Sequence, residues 1–352
     1  MTSFSERQHI LVIHVAGLGQ TTLALPALRS LRARFPESRI TVAASMAAAE
    51  LIRLANCADE ILPVGRLRHG ELLHPAAFFR STKTIGELRQ AHYDLAIEFK
   101  TNAESSAVLN FAHPGERLSN RRPRNQSLGE VIERVTKAIT TQKPPITLHV
   151  AQEYLKKLEA LGVRPIEAEP RLTTDHQADE QIEKLLHKHK VEFGELLIGI
   201  HPGSGQIRNR WPVERFVSIG SRMIHNFNAR LLVFAGPQEK GLAKRIVSQL
   251  PSKRAIAIQS PKIPELVSAL ARLSLLIANH GGPAHVAAAV DAPVVAISTF
   301  GASFGKHSSI DILGTRNEHV RASHIGLISE EAVYEAACRL LKMNRAEFLR
   351  GR

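Results

Sequence analysis

The sequence predicts an α/β protein built as two doubly wound domains. Three observations carry this. Apolar runs of strand type alternate with helix-type runs along most of the 352 residues. The alternation lapses over residues 164–178, RPIEAEPRLTTDHQA, where two prolines sit and no clear period survives, and then it resumes. The composition, 44% hydrophobic and 22% charged, is that of a globular protein long enough for two cores. Strands alternating with helices imply parallel sheets covered on both faces. The expected division is residues 1–165, residues 180–328, and a final helix in 329–352 packing back on the first domain.

In the first domain, HILVIHV (9–15) reads as a buried strand and 22–34 as a helix carrying Leu25, Leu28 and Leu31. RITVAAS (39–45), EILPV (60–64) and YDLAIEF (93–99) are further strands, with helices in MAAAELIRLAN and NAESSAVLNFA. The segment 113–150 is irregular and rich in Arg, Asn and Pro. AQEYLKKLEALGV (151–163) is an amphipathic helix stopped at Gly162. The second series places strands at 196–202, 229–236, 255–260, 274–279 and 293–299. Helices fall between them, one opened by Pro212 and one spanning QEKGLAKRIVSQL. Ser329 is the expected N-cap of the last helix, SEEAVYEAACRLLKM, followed by acidic residues in its first turn.

The net charge of +13 points to an anionic partner. Nucleic acid is disfavoured, because aromatics are 5% and no recognition motif occurs. The densest basic cluster is RLSNRRPRNQS (117–127). Cys57 and Cys338 read as thiols rather than a disulfide framework. Neither an apolar span of membrane length nor a leader-type apolar run is visible, so a cytoplasmic protein is expected. No metal-ligand pattern, no GxSxG elbow and no Walker A loop is found; HKHK (187–190) reads as a solvated helix face.

Chemistry in such folds gathers beyond the carboxyl ends of strands. Three loops qualify. In AGLGQTT (16–22), Gly17 and Gly19 allow a tight turn onto free helix N–H groups. In HPGSGQIRNRWPVERF (201–216), Gly203, Ser204 and Gly205 combine with Arg208 and Arg210 in a way that suits a phosphate. In NHGGPAHVAAA (279–289), Gly281, Gly282 and Pro283 open a helix that can receive a diphosphate, with His285 in its first turn.

Taken in order, GLGQTTLALPALRSLR, HPGSG…RWPVERF, FAGPQE (234–239) and NHGGPAHVAAA resemble glycosyltransferase family 9, the ADP-heptose:lipopolysaccharide heptosyltransferases. The resemblance implies the GT-B fold, two Rossmann-like doubly wound domains facing each other across a cleft. It implies an inverting, metal-independent transfer with no cofactor. The donor is a nucleotide-sugar, ADP-heptose in the family, and the acceptor an anionic glycolipid at the inner membrane surface. It places Ser204, Gly205, Glu239, Gly282, Pro283 and His285 on the donor, and Gly17 and Gly19 on the acceptor side. Three charged family positions differ. The family's aspartate base is Gln20, its lysine before Trp-Pro is Asn209, and the aspartate and hydroxyl opening the third loop are His280 and Gly281. Gln20 cannot take a proton, a loss that costs about 10²–10⁴-fold in rate. Arg208 or Arg210 can supply the charge lost at Asn209. His14, Glu98 and Lys100 are the alternative bases, with Glu98 favoured by its strand-end position. The competing expectation is a catalytically impaired nucleotide-sugar-binding homologue. A nicotinamide oxidoreductase is disfavoured, because the third glycine and the acidic ribose ligand are both missing.

Overall fold

The computed structural model describes residues 8–64, 82–101, 103–119, 149–251, 253–300 and 311–350. The first domain holds a five-stranded parallel sheet ordered β3-β2-β1-β4-β5. Its elements run β1 (His9–His14), α1 (Leu18–Arg34), β2 (Arg39–Ser45), α2 (Met46–Ala55), β3 (Glu60–Val64), α3 (Thr82–Gln90), β4 (Leu95–Glu98), α4 (Ala103–Ala112) and β5 (Glu116–Leu118). Helices α5 (Val150–Glu159) and α6 (His176–Lys188) lead to the second domain. There β6 (Leu197–His201), α7 (Val213–Phe227), β7 (Arg230–Ala235), α8 (Leu242–Val247), β8 (Ala255–Gln259), α9 (Ile263–Ala271), β9 (Leu275–Asn279), α10 (Gly282–Ala289), β10 (Val294–Thr299), β11 (Asn317–Ala322) and α11 (Glu330–Arg350) follow. The sheet order is β11-β10-β9-β6-β7-β8, again parallel.

Each order reverses once, beside β1 in the first sheet and beside β6 in the second. Parallel strands whose crossovers leave on opposite faces open a crevice at that point. The crevice beside β1 lies under the Gly17 loop, and the one beside β6 under the Gly203 loop. The central strands are apolar along their length because helices cover both faces: Ile10 to Ile13, and Ile198 with Ile200, are fully buried. Pro63 is tolerated because β3 is an edge strand. Helix α1 carries Pro26 without breaking. Nearby hydroxyls bond back to carbonyls, Thr22 Oγ1 to Leu18 O at 3.0 Å and Ser30 Oγ to Pro26 O at 2.7 Å.

Several expectations shift. Helix α1 starts at Leu18, so Gln20 sits in a first helical turn and not at a loop tip. The stretch read as linker ends at Asp175, whose carboxylate accepts from Ala178 N–H and caps α6. Helix α8 is shorter than read, because Gly241 enters it at φ +76°. Strands β5 and β11 were not foreseen; both are edge strands of mixed polarity. The basic cluster lies outside the described residues from 120 onward. Among the described residues the last helix packs on the second domain, where it had been expected on the first. Val333, Ala336, Ala337, Leu340 and Leu341 join a core with Trp211, Phe216 and Ile297, since that apolar stripe faces the back of the second sheet. Ser329 Oγ accepts from Ala332 N–H as the expected cap.

Candidate active site

The two crevices meet where the starts of α1 and α10 touch. A Cβ at Gly282 would fall 2.9 Å from Leu18 Cβ, and one at Gly19 would fall 2.7 Å from His285 Cδ2. Only glycines let the two helix N-termini approach this closely. Both ends carry partial positive charge, so the seam favours an anion. Leu18, Ala284 and Val286 continue the contact as one shared core.

On the first-domain side, Gln20 Oε1 accepts a hydrogen bond from Lys100 Nζ at 3.0 Å. Gln20 and Lys100 are both half-buried. The other two alternative bases are closed off. Glu98 is 0% exposed and its carboxylate accepts from Ser105 Oγ at 2.5 Å, Thr101 Oγ1 at 3.1 Å and Ser119 Oγ. That saturation corrects the expectation that its strand-end position offers it to an acceptor. His14 is equally buried, edge-on to Phe99 and Tyr154, and neither ring nitrogen has a partner. Burial, with Lys100 and Lys157 adding to it, holds its imidazole down at about 3. Lys157 Nζ donates to the carbonyls of Glu98 and Phe99, at 3.1 and 2.5 Å, and so fixes the turn that presents Lys100.

On the second-domain side, the loop after β6 wraps Glu239. The Glu239 carboxylate accepts from Gly236 N–H at 2.9 Å, lies 3.5 Å from Arg210 Nη2 and 3.7 Å from His201 Nε2. A Cβ on Gly203 would collide with this carboxyl, which explains the glycine there. Burial lowers the His201 pKa and the Arg210 charge lowers it further, while Glu239 pulls the other way. Arg210 also donates to Ser204 O through Nε and Nη2, at 3.2 and 2.9 Å. Arg208 and Asn209 both donate to Gln206 Oε1, at 3.0 and 3.4 Å, in the one-turn helix Ile207–Asn209. Ser204, Asn209 and Arg210 are half-buried, and Gly205 and Arg208 exposed, so the loop's cations line an open rim. His280 N–H bonds to Ile297 O at 2.8 Å, and its ring meets that of His285 edge-on at 5.2 Å.

The sequence matches the family model for glycosyltransferase family 9 (heptosyltransferase) over residues 81–326, more than half of its length. The chain belongs to glycosyltransferase family 9. It is a glycosyltransferase. Within the family's range, the lipopolysaccharide heptosyltransferase 2 of Salmonella typhimurium is 24% identical over 300 residues, covering 82% of each chain. The glycosyl transferase family 9 structure from Veillonella parvula superposes with a TM-score of 0.74 at 22% identity, covering 96% of this chain and 98% of that one. The ADP-heptose LPS heptosyltransferase II of E. coli gives 0.70 at 17%, covering 96% and 100%. The fold is GT-B, two parallel-sheet domains facing across a cleft.

One residue that joins the second-domain loops was not singled out by sequence reading. Asn279, fully buried, accepts from Trp211 N–H at 3.1 Å and donates to Pro202 O at 2.6 Å. It ties the third loop to the second. Its position directly before His280-Gly281-Gly282, at a strand's end, was the available signal. Trp211 Nε1 in turn donates to Ile328 O at 2.9 Å, which anchors α7 and the loop before it.

Proposed function

We propose that the protein is an inverting, metal-independent glycosyltransferase. It moves heptose from ADP-heptose to a lipopolysaccharide-core-like, anionic glycan acceptor. The observation that carries the reading is the seam between Gly19 and His285, which sets the Gln20–Lys100 pair beside the start of α10. The donor diphosphate rests at that helix start, with Arg208 and Arg210 meeting its charge in place of a metal ion. Glu239 accepts from the donor's ribose hydroxyls. The acceptor enters over Gly17 and Gly19. The donor substrate suggested here is that of the relatives' names, and the +13 charge suits an anionic acceptor presented at the cytoplasmic face of the inner membrane. Among the described residues no helix is long and apolar enough to cross a membrane, so contact with it would be peripheral.

Of the three alternative bases, Lys100 is the one in contact with the family's base position. A carboxylate at residue 20 would form an ion pair with Lys100; the amide carbonyl of Gln20 accepts its hydrogen bond without adding a charge. In this scheme Lys100 Nζ, in its amine form, takes the acceptor hydroxyl proton as the acceptor oxygen bonds to the sugar's anomeric carbon. The bond from that carbon to the diphosphate oxygen breaks, and its electron pair leaves with the nucleotide. Binding and turnover with ADP-heptose test the scheme. Failure to bind either ADP- or UDP-linked sugars removes the donor reading. Loss of activity on chelation removes the metal-independent one, and a product of retained configuration removes inversion. Full turnover by Lys100→Met returns the proton to another group.

A second reading rests on Gln20 itself, which can neither take nor give the proton. Here the protein binds the nucleotide-sugar and turns it over poorly. Gln20→Asp separates the two: a gain in turnover supports the impaired homologue, and a loss supports Lys100.

A further inference from the structure

Side chains on each sheet alternate between two faces, and one face of each sheet joins a common core. Ile10 and Val12 of the first sheet share it with Phe234 and Leu276 of the second. The opposite faces, with Leu11 in one domain and Ile198 in the other, belong to two separate cores. The common core also takes in α1 and α2 from the first domain and α9 and α10 from the second. Helix α1 packs on α10, and α2 packs on α9.

The two innermost helices have no side turned to water. Every residue of α1 from Thr21 to Leu28 is buried, a run longer than two helical turns. Every residue of α10 from Ala284 to Ala287 is buried, one full turn. A helix buried all round belongs to an interior. The hydroxyls of α1 ask nothing of solvent: Thr21 and Thr22 Oγ1 each donate to the carbonyl four residues back, at 3.0 Å. Helices α2, α5 and α10 cover α1, and α10 is the part of that cover supplied by the other domain. Parting the domains would expose apolar surface on both helices at once, which the hydrophobic effect opposes.

Polar ties reinforce the same arrangement. Ser30 Oγ accepts from Ile166 N–H at 3.2 Å. Arg29 donates through Nη1 to Glu167 Oε1 at 2.8 Å and through Nη2 to Arg171 O at 2.7 Å. Leu172 N–H then donates to Ala289 O at 2.8 Å. The segment between the domains is therefore fastened first to α1 and then to the end of α10, and Leu172 is buried in the common core. On the other pair of helices, the Glu50 carboxylate on α2 accepts from Ile263 N–H at 3.2 Å. A carboxylate of one domain thus satisfies an N–H at the start of a helix of the other.

We propose that the two domains form one rigid body, so that the cleft keeps a single width before and after a nucleotide binds. Domains joined by a tether move against each other by default, unless the surface between them is large and apolar. Here that surface is the middle of a core. The connecting segment, fastened at residues 166, 167, 171 and 172, leaves no long untied stretch to act as a hinge. A ligand therefore meets a seam that is already formed. The proposal concerns the protein without ligand as well, and so stands apart from the donor reading.

Distance measurement between two spin labels tests this. The labels go on Gln90→Cys, at the end of α3, and on Lys244→Cys, in α8, both exposed positions. Cys338 is replaced by Ser. Cys57 stays, because it is buried and its thiol is pushed up to about 11. Thermal unfolding checks that the labelled protein folds. The expected result is one narrow distance without ligand, shifted by less than about 2 Å at saturating ADP. Denaturant unfolding provides a second reading that needs no label. Fluorescence of Trp211, the one tryptophan of the chain, and hydrogen-exchange pulses on the β1 amides should share a midpoint. Two distances without ligand, a larger shift with ADP, or β1 amides that open before Trp211 would overturn the rigid body. If ADP does not bind, the donor reading falls, and the ligand-free distance and the shared midpoint still decide for or against one body.

Discussion

Glu98 and Glu239 are two buried carboxylates near strand ends, one in each domain, and they are held in opposite ways. Among the described residues Glu98 accepts from the hydroxyl groups of Thr101, Ser105 and Ser119, has the Lys157 cation near it, and is sealed from solvent. Glu239 has a backbone N–H and two basic side chains, Arg210 and His201, and its side chain keeps 8% exposure beside an open loop. Hydroxyls satisfy the lone pairs of Glu98 and cross-link β4 to α4 and to Ser119. The Arg210 charge at Glu239 instead leaves its charge balance open to change when a ligand arrives. The first carboxylate is built into the scaffold and the second is the one the proposed donor would meet, although both occupy the kind of position where an acidic residue invites a functional reading.

Replacing Glu98 by Ala should break this contrast most sharply. Three hydroxyls lose their acceptor, that of Ser105 in the interior, and stability should fall by about 3 kcal/mol, read by denaturant unfolding. Glu98→Gln sharpens it. The folded state should weaken while turnover per folded molecule persists; a stable but inactive Gln variant would restore Glu98 as a base. Next in size are the crowded glycines. Gly203→Ala pushes a methyl group onto the Glu239 carboxyl, and Gly19→Ala pushes one onto His285. Each should cost about 1–3 kcal/mol, and the Gly203 variant should lose ADP affinity more than the Glu98 variants do.

Acid provides the third test. His14 is neutral when folded, with its pKa held at about 3 against an ordinary 6.5, so the unfolded chain takes up the proton first. Stability contributed by the neutral ring is therefore complete above pH 6.5 and falls as pH drops toward 3. The slope is about 1.4 kcal/mol per pH unit. His14→Phe, between Phe99 and Tyr154, should flatten the loss of stability between pH 7 and 5. An unchanged slope would show that the ring is not buried neutral. Smallest is Glu239→Gln, which should leave unfolding almost unchanged and weaken ADP binding about tenfold, roughly 1.4 kcal/mol.

Much of the architecture was legible because it is periodic. The strand-helix alternation, the glycine turns at 17, 19, 203 and 282, and the Ser329 cap all express local rules. What stayed hidden depends on distant partners. Ser105 and Ser119 lie 7 and 21 residues beyond Glu98, and nothing local announces that they close its carboxylate. Asn279 reaches Trp211 and Pro202, 68 and 77 residues away. Helix α11 has an apolar stripe in either reading, and only packing decides which sheet it covers. Strand β11, NEHVRA, is half-buried along its whole length and so lacks the alternation that marks a one-sided strand.

The two glycines at the domain seam have an evolutionary consequence. Gly19 makes room for a side chain of the second domain, and Gly282 makes room for one of the first. Neither half can enlarge its own contact residue without a matching change in the other. The domains are thus inherited as a matched pair. A chimaera joining one half to the corresponding half of a distant relative should fit only if residues 18, 19, 282 and 285 come from a single parent.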